Sequence, residues 1–206
     1  MKNRNIFVAF TGIVLSASIL AAGCSGGTDS AADPDLTAGS GSVGEFSSGT
    51  AGELGSLKSF SATALDGSTF TQEDIMAKDM TIINFWSLTC GPCIEEMPDL
   101  AAFAKVLPDN VQVITVCLDG ARDEEYTENL LSETEYEGVT LLSGDGDFMS
   151  VVDNIQYTPT TVIVDAKGNL VGDAIIGRQK DLSETFLAAV NTALEDAGKE
   201  EISLEE

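Results

Sequence analysis

The chain has 206 residues, enough for one folded domain with appendages. With 34 acidic against 10 basic residues and no histidine, its formal net charge is −24 at pH 7. That balance argues against nucleic acid or anionic lipid headgroups as partners, since both would be repelled.

Residues 1–23 carry Lys2 and Arg4, then an uncharged apolar stretch from Ile6 to Ala22, then small residues ahead of Cys24. The pattern predicts a cleaved signal peptide, because the apolar core is short and ends at a small-residue cleavage site. Leu20-Ala-Ala-Gly-Cys24 resembles the lipobox of bacterial lipoproteins, which implies that Cys24 is lipidated and becomes the first mature residue. Simple secretion with a chance cysteine, or a retained anchor, is the competing reading. Residues 24–53 are rich in Gly, Ser, Ala and Thr. They lack the apolar groups needed to fold and read as a flexible tether with a reach of roughly 30 Å.

Globular patterning starts at Leu54 and runs to Ala197. Phe60 to Phe70 reads as two short strands around Asp66-Gly67, and Thr71-Gln-Glu-Asp74 as a helix start. Met80 to Trp86 is short, rich in isoleucine and aromatics, and closely followed by Gly91-Pro92, which suits a buried strand. Gly91-Pro92 then opens a helix carrying Met97, Leu100, Ala101, Ala104 and Leu107 at helical spacing. Pro92 falls in the first turn, where its missing N–H costs nothing. Cys90 therefore stands at a helix N-terminus, where unpaired N–H groups and the positive end of the macrodipole favour a thiolate, and Cys93 lies one turn on, placed to resolve it. The acidic field of the chain works against that effect.

A Cys-x-x-Cys at a strand-to-helix junction points to dithiol–disulfide chemistry. The bland readings are a fixed structural disulfide and half of a zinc site. The latter finds no second Cys pair and no histidine in the chain. Glu96 lies three residues past Cys93 on the same helix face, where a partly buried carboxylate could take the proton of the resolving thiol. Glu95 reads as solvated surface.

Further on, Val111 to Leu118 reads as a second buried strand, with Cys117 a buried, inert thiol near its end. Asp123 to Glu133 reads as an acidic helix, Val139 to Leu142 as a short strand and Phe148 to Ile155 as a short helix. Thr161 to Gly172 forms a strand, a tight turn and a strand, and Leu182 to Ala193 an amphipathic closing helix. The alternation predicts an α/β domain with a mostly parallel sheet covered on both faces and antiparallel strands at one side. Residues 198–206 read as a frayed acidic tail.

Asn84-Phe-Trp-Ser-Leu-Thr-Cys-Gly-Pro-Cys-Ile-Glu-Glu-Met-Pro98, with Tyr157-Thr-Pro-Thr-Thr-Val-Ile-Val-Asp165, resembles the motifs of the TlpA/ResA-like disulfide reductases, extracytoplasmic members of the thioredoxin superfamily. The resemblance runs from about Leu54 to about Ala197. It implies a thioredoxin-like fold, with a central mixed sheet flanked by helices and an N-terminal β-hairpin extension. It also implies that Cys90 and Cys93 form the redox-active disulfide, that Glu96 is the catalytic glutamate the family carries three residues after the second cysteine, and that Thr158-Pro159 carries a cis-proline facing the cysteines beside backbone that binds the substrate chain. No cofactor or metal is implied. The implied partners are protein disulfides and a membrane thiol reductant of the CcdA type, with cytochrome c maturation as one client pathway.

Two positions depart from related patterns. Thr89 replaces the Trp that most members carry before the first cysteine, and Asn84 stands where thioredoxin keeps a buried Asp. The expected function is that of a thiol-disulfide oxidoreductase held by a lipid anchor at the extracytoplasmic face of a bacterial membrane. A peroxiredoxin-like peroxidase would need Pro-x-x-x-Thr-x-x-Cys, and Ser87 occupies the Thr position. A Cu(I)-binding or interaction module would have to do without the histidine that copper-delivering relatives use.

Overall fold

The computed structural model describes residues 49–204; the predicted signal peptide 1–23, Cys24 and most of the expected tether lie outside the described residues. Phe60–Ala64 (β1) and Thr69–Thr71 (β2) form the expected hairpin. Burial in β1 alternates residue by residue, as on a strand with one covered face. Thr71 then caps the short helix Gln72–Met76 (α1). Its hydroxyl accepts from the Glu73 N–H at 3.2 Å and the Asp74 carboxylate accepts from the Thr71 N–H at 2.7 Å, a reciprocal capping box.

The remaining elements are Met80–Trp86 (β3), Gly91–Lys105 (α2), Val111–Cys117 (β4), Glu124–Glu133 (α3), Thr140–Gly146 (β5), Asp147–Asn154 (α4), Thr160–Asp165 (β6), Leu170–Ile176 (β7) and Leu182–Asp196 (α5). The strands make one seven-stranded sheet in the order β2-β1-β5-β4-β3-β6-β7. Parallel pairing is confined to β3–β4 and β4–β5, and the other neighbours are antiparallel. The sheet is thus mixed, not mostly parallel. Alternation of elements does not specify whether a connection crosses over or turns back, and β6 and β7 turn back.

β3 is buried on both faces, and its alternation divides it between two core layers. Met80, Ile82 and Trp86 pack with Met97, Leu100 and Phe103 of α2 and Phe186, Val190 and Leu194 of α5. Phe103 and Phe186 meet edge to face, with centroids 5.8 Å apart. Ile83 and Phe85 join the opposite layer with Ile114, Val116, Val162 and Val164. Asn84 shares the parity of Ile82 and Trp86, so it is carried toward α2.

β5 runs past the expected Leu142 because Gly144, Asp145 and Gly146 pair with β1, Asp145 Oδ1 also accepting from the Ser61 N–H at 3.1 Å, and these residues leave no hydrophobic alternation to read. Gly146 has φ 62°, and a Cβ there would stand 2.5 Å from the Ser59 carbonyl oxygen, so glycine is required.

Regular structure also starts before Leu54. Thr50 bridges to Asp173 and Ser56 to Asn169, while Ala51–Leu54 makes a 3-10 turn with Ala51 fully buried. Small residues suffice here because the segment lies against the edge of β7, so composition hides it. At the other end, the expected frayed tail is docked. The Asn191 side chain donates to the Ile202 carbonyl at 3.0 Å and accepts from the Ile202 N–H at 2.9 Å, and Ile202 and Leu204 pack on the α2–α5 layer. Among the described residues no helix is long and apolar enough to cross a membrane.

Candidate active site

The end of β3 and the start of α2 build the site. The Cys90 N–H donates to the Ser87 carbonyl at 3.1 Å, and the Leu88 N–H donates to Asp119 Oδ1 at 2.9 Å, which fastens the connecting turn to the segment after β4. Cys90 is the N-cap of α2, with Pro92 in the first turn as the sequence predicts. Its carbonyl accepts from the N–H groups of Cys93 and Ile94, and its Sγ lies 3.2 Å from the Cys93 nitrogen. Cys90 and Cys93 are joined by a disulfide, with Cα atoms 5.3 Å apart. Cys90 is half-buried, whereas Cys93 is 2 % exposed behind it. When the bond is reduced, the N–H groups and dipole of the helix face the Cys90 sulfur and favour its thiolate.

Glu96 is also only 2 % exposed. Its Oε1 accepts from Asn84 Nδ2 at 3.1 Å and its Oε2 accepts from the Gln179 backbone N–H at 2.9 Å. Burial pushes its carboxyl above the ordinary 4.5, while the Gln179 and Asn84 hydrogen bonds and the nearby Arg178 pull the other way. A raised carboxyl favours the folded state below about pH 4.5 and loses that contribution as pH climbs through its raised value. The neighbouring Glu95 is exposed and pairs with Arg178 at 3.0 Å, a surface contact of little energetic weight.

The Thr158–Pro159 peptide is cis, as the resemblance implies. Antiparallel register sets Phe85 opposite Thr160, which puts Pro159 level with Trp86 at the end of β3, beside the turn leading to Cys90. The Pro159 carbonyl accepts from the Gly177 N–H at 2.8 Å and the Tyr157 carbonyl from Thr160 Oγ1 at 2.8 Å, so both sides of this bend are tied down. Cys90, Cys93, Glu96, Thr158 and Pro159 thus gather at one end of the central strands.

Cys117 does not join the exchange pair. It is fully buried, aligned with Trp86 across the β3–β4 ladder, and burial pushes its thiol up to about 12, where almost none is ionised at neutral pH. Three contributors were not visible in the sequence. Gln179 acts through a backbone N–H from a loop 83 residues from Glu96, Asp119 through a turn, and Thr161 through the cross-strand partner it offers Asn84. Asn84, by contrast, carried a signal, since it stands where thioredoxin keeps a buried Asp.

Residues 47–186 match the model of the family described as Redoxin. Among curated proteins, the chain is similar to the thioredoxin-like protein YneN of Bacillus subtilis, with 29% identity over 118 residues, covering 57% of this chain and 68% of that one. It is also similar to the thiol-disulfide oxidoreductase ResA of Bacillus cereus, with 26% identity over 133 residues, 64% of this chain and 74% of the relative. Among solved structures, the thioredoxin domain of a thiol-disulfide oxidoreductase from Bacteroides vulgatus superposes with a TM-score of 0.54 at 25% identity, covering 66% of this chain and 97% of that one.

Proposed function

The chain belongs to the Redoxin family and is a thiol-disulfide oxidoreductase, and from that starting point we propose that it reduces disulfides in exported protein clients through Cys90 and Cys93. The observation that carries this reading is the half-buried Cys90 at a helix N-terminus, bonded to a cysteine buried behind it.

The reduced protein enters with Cys90 as thiolate and Cys93 as thiol. The Cys90 sulfur attacks one sulfur of the client disulfide, that bond breaks, and the other client sulfur leaves as a thiolate that takes a proton from water. A Cys90–client disulfide now holds the two chains together. The Glu96 carboxylate accepts the Cys93 proton, and the Cys93 thiolate attacks the Cys90 sulfur. The second client sulfur leaves, takes up the proton, and the Cys90–Cys93 bond closes. Two electrons have passed to the client. The bend at Thr158 and Pro159 holds the client backbone beside the cysteines during both attacks.

Returning the pair to the dithiol state needs two electrons from outside, which a membrane thiol carrier of the CcdA type would supply; cytochrome c maturation is one client pathway consistent with this. Gly91-Pro92, the dipeptide of thioredoxin, favours the reducing direction. Equilibration with glutathione or dithiothreitol buffers tests it: a potential near roughly −270 mV fits a reductase, and one near roughly −120 mV overturns the direction.

The lipobox-like Leu20–Cys24 stretch supports a lipid tether on the extracytoplasmic face of the membrane. Cells carrying the full chain and fed labelled palmitate should incorporate the label into the wild-type protein and not into Cys24→Ser; a wild-type protein that takes up no label refutes the lipid anchor.

A further inference from the structure

We propose that Asn84 is a positioning residue for the reductase, holding an amide N–H against Glu96 and so setting how readily that carboxylate takes the Cys93 proton. This rests on the reading of Glu96 as the proton acceptor and adds what governs it. Asn84 lies on β3, 1 % exposed, directly opposite Thr161 of β6 in the antiparallel ladder. Its Nδ2 stands 3.1 Å from Glu96 Oε1 and 2.9 Å from Thr161 Oγ1.

Those two contacts divide the work. An Asn NH2 has two protons, and here each has an oxygen to meet. The Thr161 oxygen takes one and fixes which side of the amide faces α2, so the donor side, not the carbonyl, meets Glu96. With the Gln179 N–H on Oε2, both carboxylate oxygens receive a donor in a nearly dry site. A donor to the charged form favours the charged form. Burial acts in the opposite sense, so the Asn84 bond keeps Glu96 from being locked as an acid and leaves it available as a base.

Other groups around the carboxyl are accounted for. On its own helix, Glu96 has Cys93, Glu95 and Asp99; Asp99 favours the neutral form. The loop between β7 and α5 brings Arg178, which favours the charged form but is exposed and paired with Glu95. β3 and β6 bring only the neutral Asn84 and Thr161. A second carboxylate at position 84, 3.1 Å away, could not ionise together with Glu96, so a neutral donor is the side chain that serves this chemistry.

The test is a carboxyl carbon-13 titration of oxidised protein labelled at glutamate, where the curve missing from Glu96→Gln identifies Glu96. In Asn84→Ala the Glu96 inflection should move to higher pH by about one unit, a tenfold rise in proton affinity, as loss of a hydrogen bond to a charged group requires. Thr161→Val should move it in the same direction by less. Curves that superpose on wild type, or move to lower pH, overturn the proposal. If Asn84→Ala does not fold, Thr161→Val decides the matter in the same way. Release of a preformed mixed disulfide is then followed against pH, and its profile should shift with the titration. A Glu96→Gln protein that releases client at the wild-type rate overturns the acceptor role itself and the function of Asn84 with it. A slow Glu96→Gln beside unmoved titrations overturns Asn84 alone.

Discussion

Replacing Cys90 by serine should reduce insulin reduction to the rate of the buffer blank, whereas Cys93→Ser should lose turnover but accumulate protein covalently joined to the client. The asymmetry follows from exposure. Cys90 is half-buried and Cys93 is 2 % exposed, so only Cys90 meets a disulfide from outside. A serine hydroxyl is almost entirely un-ionised at neutral pH and forms no bond to a departing sulfur that could replace the lost disulfide. Without Cys90 there is no first attack. Without Cys93 the first attack proceeds and nothing releases its product. The two products separate on a non-reducing gel: a client adduct in Cys93→Ser that dithiothreitol dissolves, and none in Cys90→Ser. An adduct formed through Cys93 in the Cys90→Ser protein would reverse the assignment of attacker and resolver.

The second large effect is on stability. Trp86 is fully buried at the end of β3, in the layer that also holds Cys93 and Met97. Trp86→Ala should cost about 3–5 kcal/mol, the range for emptying an aromatic site that cannot collapse. Yet its indole Nε1 has no hydrogen-bond partner among the described residues. An unpaired buried donor already costs about 1–3 kcal/mol, so Trp86→Phe should lose far less than the difference in size suggests, about 1–2 kcal/mol. Urea unfolding followed by circular dichroism measures both, since the only tryptophan is the one removed. An Ala variant within about 1 kcal/mol of wild type would mean the site repacks.

The strands and helices nearest the cysteines were legible because each satisfies a local rule. Met80 to Trp86 is a short, predominantly apolar run, as suits a strand buried on both faces, and Gly91-Pro92 begins a helix whose buried positions recur at three and four residues. Cys90 and Cys93 follow from that junction. The surroundings of Glu96 do not. Its burial depends on where α2 lies on the sheet, and one of its two donors is the main-chain N–H of Gln179, which any residue other than proline would provide. Asn84 and Thr161 meet because β3 and β6 pair in one register, and a shift by one residue would have turned Asn84 to the other layer. The ends were misjudged for a related reason. Residues 50–56 pair through backbone and bury alanine, and the acidic tail hides Ile202 and Leu204 among glutamates, so composition reported solvent where the chain is attached.

The strip from Gly49 to Ser56 also decides how the domain can be cut from the rest of the chain. β7 is the outermost strand on its side, and this strip covers it: the Ala174 N–H donates to the Gly49 carbonyl, and Thr50 bridges to Asp173. A shortened protein starting at Leu54 would lose the Gly49 carbonyl that meets the Ala174 N–H and the Thr50–Asp173 bridge, opening this stretch of the β7 rim to the rim of a second molecule. The opposite margin, β2, is only three residues long and offers little to grow on. Aggregation of a truncated form would therefore begin at β7, and a boundary upstream of Gly49 keeps the molecules apart.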